Sequence, residues 1–353
     1  MSQIITELLG IQYPIIQAPM AGVSTPLLAA EVTHAGALGS IGIGACSVAE
    51  TERMLDVLAA QTTGPVNVNV FCHKGAQQQR QKEQAWLDYL APYFAEFNAP
   101  IPEQLHEIYK SFVDHHEMLQ LLLCKRPAVV SFHFGLPSTD YIQALKQVGI
   151  VLMATATSLK EAYLIQEAGI DIVVAQGQEA GGHQGIFEPD NITQIMPTLV
   201  LTRLISENLS IPVVSAGGIM NGQDIKQAFK QGASAVQMGT AFLLCSESAT
   251  SEDHRMAIKK ATTGATQMTS VISGRPARGL INRFMTQIDQ IGRPDIPDYP
   301  IAYDAAKALY KAASAEQKHG FAAHWAGSKV EQTRQMSAKQ LIECLVQEFT
   351  QAG

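Results

Sequence analysis

The chain has 353 residues, 46% hydrophobic and 16% charged, with a formal net charge of -7. It can bury a large core, it lacks the basic face that nucleic acid or an anionic membrane would require, and it exceeds the roughly 250 residues of one barrel domain by about one smaller unit. The five cysteines (Cys46, Cys72, Cys124, Cys245, Cys344) are scattered and include no Cys-x-x-Cys pair, which argues against disulfides and zinc and for a reducing compartment. Neither the start, Met1-Ser2-Gln3-Ile4-Ile5-Thr6-Glu7, nor any later stretch has the apolar run of an export signal or a membrane span. The expectation is a soluble cytoplasmic protein whose partners are small molecules.

The first apolar run, Pro14-Ile15-Ile16-Gln17-Ala18-Pro19-Met20, is closed by Pro19 and Gly22 and followed by Ser24-Thr25-Pro26, a helix-start signal with proline early in the helix. It predicts strand, loop and a helix over 27–35. A second strand is expected at 36–42 and a second helix at 47–60. The glycines at 39, 42 and 44 run G-x-x-G-x-G, which is not the dinucleotide fingerprint, so they are read as packing glycines. From Pro65 to Phe71 the residues alternate, with Val66, Val68 and Val70 on one face and Asn67 and Asn69 on the other. That is either an edge strand with a wet face or, for Asn69 at the carboxyl end, an amide offered to a heterocycle.

Residues 73–124 interrupt the rhythm. Trp86, Tyr89, Leu90, Tyr93, Phe94 and Phe97 repeat at helical spacing, as do Leu105, Ile108, Tyr109, Phe112 and Val113, which predicts an insertion of two amphipathic helices with Pro92 perturbing the first. The alternation resumes with strand 128–132, helix 141–148, strand 150–154, helix 159–168 and strand 170–175. After the glycine-rich stretch Gln176 to Gly185 come a helix from about Ile192 to Glu207, strand 211–215, helix 223–231 and strand 235–238. Near-continuous apolar strands alternating with helices predict a parallel sheet covered on both faces, and eight such units predict a closed (β/α)8 TIM barrel over 1–72 and 125–247. From 248 to the end the pattern is helical and more polar, with turns at 274–279 and 291–297, and is expected to form a C-terminal helical cap.

In such a barrel the working face lies at the carboxyl ends of the strands. Gln17, Asn69, His133, Gln176, His183, Gly217 and Gly239 each fall at or just after a strand end. The stretch from Gln176 carries glycines at 177, 181, 182 and 185 around one ionisable ring, so backbone can approach a ligand closely where His183 points. Ala216-Gly217-Gly218 and Met238-Gly239-Thr240 leave backbone amides open ahead of a helix start, which suits a phosphate dianion. Together with the amides of Asn69 and Gln176 and the apolar Ala18-Pro19-Met20 loop, they describe a flat, polar-edged ligand with a phosphate tail, which flavin mononucleotide (FMN) fits best. In the cap, Tyr303 and Lys307 are four residues apart on a helix expected near Pro300, with Tyr299 just ahead, so two hydroxyls and an ammonium can meet one anion; a solvated surface helix is the plain alternative.

These stretches also carry a resemblance. Gln17-Ala18-Pro19-Met20, Gly36-Ala37-Leu38-Gly39, Asn67-Val68-Asn69, Gln176-Gly177 with Ala180-Gly181-Gly182-His183-Gln184-Gly185, Ser215-Ala216-Gly217-Gly218-Ile219 and Gln237-Met238-Gly239-Thr240-Ala241-Phe242 occur in that order. The chain thereby resembles the nitronate monooxygenases, formerly called 2-nitropropane dioxygenases, over essentially its whole length, and 298–307 is similar to their bacterial class I pattern. The resemblance implies FMN in a barrel and a detoxifying oxidation of alkyl nitronates by O2 to a carbonyl compound and nitrite, through a flavin semiquinone. It implies that His183 is the catalytic group. FMN would be held by Ala18, Pro19, Met20, Asn69, Gln176, Gly181, Gly182, Ala216, Gly217, Gly218, Met238, Gly239 and Thr240. Tyr109, His133, Tyr299, Tyr303 and Lys307 would bind substrate and neutralise a carboxylate, which makes propionate 3-nitronate the expected substrate. No metal is expected. The barrel motifs are shared with FMN-dependent NAD(P)H reductases of the enoyl or quinone reductase kind, and these are the alternative reading. Arg275 and Arg278 receive no role, and the oligomeric state, monomer or homodimer, stays open.

Overall fold

The computed structural model describes residues 2–189 and 195–351. A short helix, α1 (Ser2–Leu9), leads into β1 (Ile15–Gln17), α2 (Pro26–His34), β2 (Gly39–Gly42), α3 (Val48–Gln61) and β3 (Val66–Phe71). Local sequence explains the helix starts. The Thr25 side chain accepts the Leu28 amide ahead of Pro26, and Ser47 and Glu50 form a reciprocal capping box on α3. Gly39 packs rather than binds: a Cβ there would lie 2.0 Å from the Ala29 carbonyl oxygen of α2.

After β3 come α4 (Arg80–Glu96), α5 (His116–Lys125), β4 (Val129–His133), α6 (Thr139–Gln147), β5 (Val151–Ala156), α7 (Leu159–Glu167) and β6 (Ile172–Gln176). They are followed by a two-residue strand β7 (Gly182–His183), α8 (Thr198–Asn208), β8 (Val213–Ala216), α9 (Gly222–Lys230) and β9 (Ala235–Met238). The expected start of α8 near Ile192 lies outside the described residues. The parallel strands run in the order β1-β9-β8-β6-β5-β4-β3-β2, and a parallel bridge between Ile16 and Leu38 brings β1 back to the chain entering β2. This is the expected (β/α)8 barrel. Ile16, Leu38, Val129, Met153, Ile172 and Val214 fill its interior, and Ile5 and Leu9 of α1 join that cluster, so α1 stoppers one end. β3 is no edge strand. It lies between β2 and β4, and Asn67 and Asn69 are buried, donating to Ser40 Oγ at 3.1 Å and to Ser131 Oγ at 2.9 Å.

The insertion contains one of its two expected helices. α4 forms and accommodates Pro92, but 101–111 is irregular. The reason is packing. Leu105 enters the core shared by α4 and the cap, Tyr109 joins Phe134 and Tyr299, and Phe112 enters the barrel core, three directions that no single helix face can serve. α5, which sequence patterning did not separate from the insertion, turns Met118, Leu119 and Leu122 into the same core as Phe132 and Ile142, and is the barrel's own helix between β3 and β4.

The cap comprises α10 (Glu252–Lys260), β10 (Thr266–Thr269), β11 (Ala277–Leu280), α11 (Ile301–Ala315) and α12 (Ala338–Gln351). It is therefore not wholly helical. β10 and β11 form an antiparallel hairpin, and β11 pairs with β7, Ala277 opposite His183 and Arg278 opposite Gly182. Four residues holding a glycine and an arginine carry no apolar alternation, so that strand reads as a turn in sequence. α12 leaves the cap again: Leu341, Ile342 and Leu345 pack with Leu28 and Val32 of α2 and Ile225 of α9, completing the wall of the barrel. Trp86, Leu90 and Phe94 of the insertion share a core with Phe284, Leu309 and Phe321 of the cap, so the two additions form one layer over the strand ends. All five cysteines are free, and no helix among the described residues is long and apolar enough to cross a membrane.

Candidate active site

The carboxyl ends of the strands, with the cap above them, enclose a cavity of about 420 Å3. Every residue singled out above for catalysis, substrate or cofactor lines it: Ala18, Pro19, Met20, Asn69, Tyr109, His133, Gln176, Gly181, Gly182, His183, Ala216, Gly217, Gly218, Met238, Gly239, Thr240, Tyr299, Tyr303 and Lys307. Gln17 does not. Its amide is spent within the fold, donating to Ser24 Oγ at 2.8 Å and accepting the Ser40 amide at 2.9 Å, so it braces β1 against β2.

The glycine stretch after β6 is fixed by its own polar groups. Gln176 Nε2 donates to the His183 carbonyl at 3.0 Å, and Gln176 Oε1 accepts the Gly185 amide at 2.7 Å. His133 Nε2 also donates to the His183 carbonyl at 3.2 Å, and the Thr155 hydroxyl faces its other nitrogen at 3.1 Å. The two arginines left without a role in the sequence clamp the same stretch from the hairpin. Arg275, almost fully buried, donates to the Ile186 carbonyl at 2.6 Å and lies over the Phe134 ring, while Arg278 Nε donates to the Gln178 carbonyl at 2.7 Å.

His183 thus projects from a rigid loop into an aromatic box. Trp325, Tyr299, Phe134 and Tyr303 surround its ring at centroid distances of 5.2, 5.4, 5.7 and 5.9 Å. Its Nε2 lies 2.8 Å from Ser273 Oγ, which leaves Nδ1 for a ligand. Burial above all, with His133, Arg275 and His73 nearby, lowers its pKa to about 3, so the ring is neutral near pH 7 and its nitrogens offer hydrogen bonds but no charge. Ser273 sets which bond. When its proton goes to the His183 ring, Nδ1 carries the hydrogen and can donate to an anionic oxygen. When the proton goes to the Arg275 carbonyl 3.2 Å away, Nδ1 presents a lone pair instead.

Burial also raises the phenols of Tyr109 and Tyr303 to about 12 and that of Tyr299 further, so all three remain donors. Tyr303 OH accepts from Trp325 Nε1 at 3.3 Å, and Tyr299 OH has no partner among the described residues. Lys307 Nζ sits 4.8 Å from the centre of the Tyr109 ring and 5.4 Å from that of Tyr303, with no carboxylate partner among the described residues. Sequence spacing therefore located a convergent set, although the helix first expected to carry Tyr109 is absent.

On the opposite side, Gly217 and Gly218 adopt φ of 124° and 65°, a backbone that favours glycine. Their amides, with those of Gly239 and Thr240, have no acceptor among the described residues. Asn69 Oδ1 is likewise uncommitted, because its amide nitrogen alone bonds Ser131.

Four histidines, His73 and His254 buried and His133 and His183 half-buried, share a depressed pKa: about 4 for His73 and His133, about 3 for His183 and His254, withdrawal from water being the chief cause in each. Below the ordinary value of 6.5 the unfolded chain takes up protons that the folded chain refuses. Stability is therefore full above about pH 6.5 and declines as the pH falls, by up to about 2 kcal/mol per histidine at pH 5. The urea midpoint is expected to fall clearly between pH 7.5 and pH 5; a midpoint unchanged over that interval would contradict the neutral, buried assignment.

Comparison with known proteins identifies the family. The family model described as nitronate monooxygenase matches residues 2–348. The chain belongs to the nitronate monooxygenase family. A nitronate monooxygenase from Pseudomonas aeruginosa is 50% identical over 98% of each chain, and one from Paraburkholderia phytofirmans is 47% identical over 98% of this chain and 94% of the other. Among solved structures, a nitroalkane oxidase from Streptomyces ansochromogenes superposes with a TM-score of 0.89 at 35% identity, covering 99% of this chain and 98% of the other. FabK from Thermotoga maritima gives 0.76 at 28%, covering 99% and 96%. Membership makes the chain a flavin-dependent oxidoreductase.

Parts of the site had no sequence signal. His254 and Trp325 line the cavity from the cap, Lys329 joins them, and Ser273 meets His183 across 90 residues of chain. Nothing in their local patterns marks them, because tertiary packing alone brings them in.

Proposed function

We propose that the enzyme binds FMN and uses O2 to oxidise anionic nitronates, with propionate 3-nitronate as substrate, to a carbonyl compound and nitrite. The carrying observation is the charge pattern of the cavity: among the described residues no Asp, Glu or Arg lines it, the only permanent charges are lysines, and its histidines are neutral. A cavity of that kind favours anions at both ends.

The residues present fit the cofactor. Four partnerless amides at Gly217, Gly218, Gly239 and Thr240 suit a phosphate, and the free oxygen of Asn69 with the spare hydrogen of Gln176 Nε2 suits the polar edge of the ring system. Ala18, Pro19 and Met20 supply an apolar face. When bound, FMN supplies the electron transfer between nitronate and O2. The protein's part is binding and orientation. His183, with Ser273 donating to Nε2, offers its Nδ1 hydrogen to a nitronate oxygen, and the aromatic box excludes water around it. Because a nitronate is already an anion, the weak basicity of His183 is no handicap. Tyr299, Tyr303 and Lys307 receive a carboxylate at the mouth. A cytoplasmic location is part of the same proposal and accords with five free cysteines.

Lys307→Met separates the two anionic groups of the substrate. It is expected to raise KM for propionate 3-nitronate roughly tenfold or more, as loss of one charge-assisted hydrogen bond implies, while leaving an alkyl nitronate without a carboxylate within about twofold. Equal effects on both substrates would remove the carboxylate from the proposal.

A further inference from the structure

The glycine-rich side of the cavity has a wall that does not come from the barrel. Residues 326–329, from the cap, run across the loops after β6, β8 and β9. The Gly327 amide donates to Thr240 Oγ1 at 2.8 Å, and the Ser328 amide donates to the Glu179 carbonyl at 3.0 Å. The approach is close enough to demand glycine on both sides: a Cβ on Gly181 would lie 2.6 Å from the Gly327 nitrogen, and one on Gly327 would lie 2.7 Å from the Glu179 oxygen. Beyond this crossing, Lys329 lines the cavity with Nζ 2.6 Å from Asp224 Oδ1. The other oxygen of Asp224 accepts the Met220 amide at 2.9 Å, so one carboxylate ties Lys329 to the loop that carries Gly217 and Gly218.

Four amides provide donors for a dianion but no full charge. Of the two lysines that line the cavity, Lys307 is engaged with the rings of Tyr109 and Tyr303, whereas Lys329 lies on the strap that crosses the loops carrying the amides and is tied to one of them through Asp224. Asp224 engages one of the three hydrogens of its ammonium and leaves two. We infer that Lys329 is a phosphate ligand of the cofactor, the cation that the barrel loops lack, delivered by a cap strap that lies across them. The inference rests on the FMN reading above. It adds that the cap contributes to holding the cofactor as well as to binding substrate.

The test is a titration of the full-length protein, stripped of flavin, with FMN and separately with riboflavin, which lacks the phosphate, followed by quenching of flavin fluorescence. Wild type should bind FMN much more tightly than riboflavin. Lys329→Met should weaken FMN binding roughly ten- to a hundredfold, as loss of a charge-assisted contact implies, with riboflavin affinity nearly unchanged. Lys329→Arg should keep most of the preference, which guards against a folding defect. Asp224→Asn retains an acceptor for the Met220 amide and frees the ammonium, so it should hold FMN at least as well as wild type. If Lys329→Met keeps the full preference for FMN, or if Asp224→Asn loses it equally, Lys329 is structural and the inference falls while FMN stands. If wild type itself binds both flavins equally, the phosphate site of the proposed function fails instead.

Discussion

Replacing His183 with asparagine is expected to lower turnover of nitronate by roughly a hundredfold or more while the protein keeps its flavin. The two halves of this expectation have separate causes. The loop is held through the backbone carbonyl of residue 183, which accepts from Gln176 and His133, and through pairing of β7 with β11. None of these bonds involves the imidazole, so the cofactor side of the cavity should survive its removal. The imidazole itself reaches into the box of Trp325, Tyr299, Phe134 and Tyr303, a position the shorter asparagine does not span. Oxygen consumption with nitronate, measured beside the visible absorption of the purified protein, checks both halves. Unchanged turnover would remove His183 from the chemistry, and a colourless protein would make it a structural residue.

Gly239→Arg is expected to give a folded protein without flavin. Gly239 has φ of -107°, which any residue can adopt, and a Cβ there would meet Ala18 Cβ at 3.4 Å and Met20 Sδ at 3.6 Å, ordinary contact distances. The backbone therefore accepts a side chain, and the remainder of the arginine occupies the space between the amides and the Ala18–Met20 loop. Gly217 would be a poorer choice, since a Cβ at its φ of 124° would lie 2.6 Å from Thr198 Oγ1 and strain the fold as well. A native circular dichroism spectrum with no visible flavin absorption is the expected result. A fully yellow variant would overturn the phosphate placement.

The barrel was legible because most of its strands are apolar runs and α2, α3, α6, α7 and α9 start on a capping side chain, so local signals and the final topology agree. The loops after β6, β8 and β9 were legible for a related reason: glycines clustered at strand ends mark places where backbone comes close, here to the cap strap at Gly181 and to Thr198 at Gly217. Tyr303 and Lys307 were legible by spacing on α11, with Tyr299 just ahead of it, together with the family pattern over 298–307. What escaped depends on contacts distant in sequence. The apolar residues at 105, 109 and 112 have helical spacing but serve three separate cores, and that competition overrides the periodicity. β11 exists because β7 and β10 flank it, and its four residues cannot announce that. Lys329 looks like any surface lysine until the strap carries it over the glycine loops. Even Arg275 and Arg278, noticed as a pair, acquire a purpose only when the hairpin lays them against the backbone around His183.

In the proposed function the anion held before His183 is the electron donor, in contrast to the nicotinamide-driven chemistry of reductases that share the barrel motifs. Anaerobic mixing of the purified enzyme with propionate 3-nitronate, and separately with NADH and NADPH, tests it directly by the visible spectrum of the flavin. Prompt reduction by the nitronate and sluggish bleaching by either nicotinamide are expected. Rapid bleaching by NADH or NADPH with no response to nitronate would contradict the proposed function.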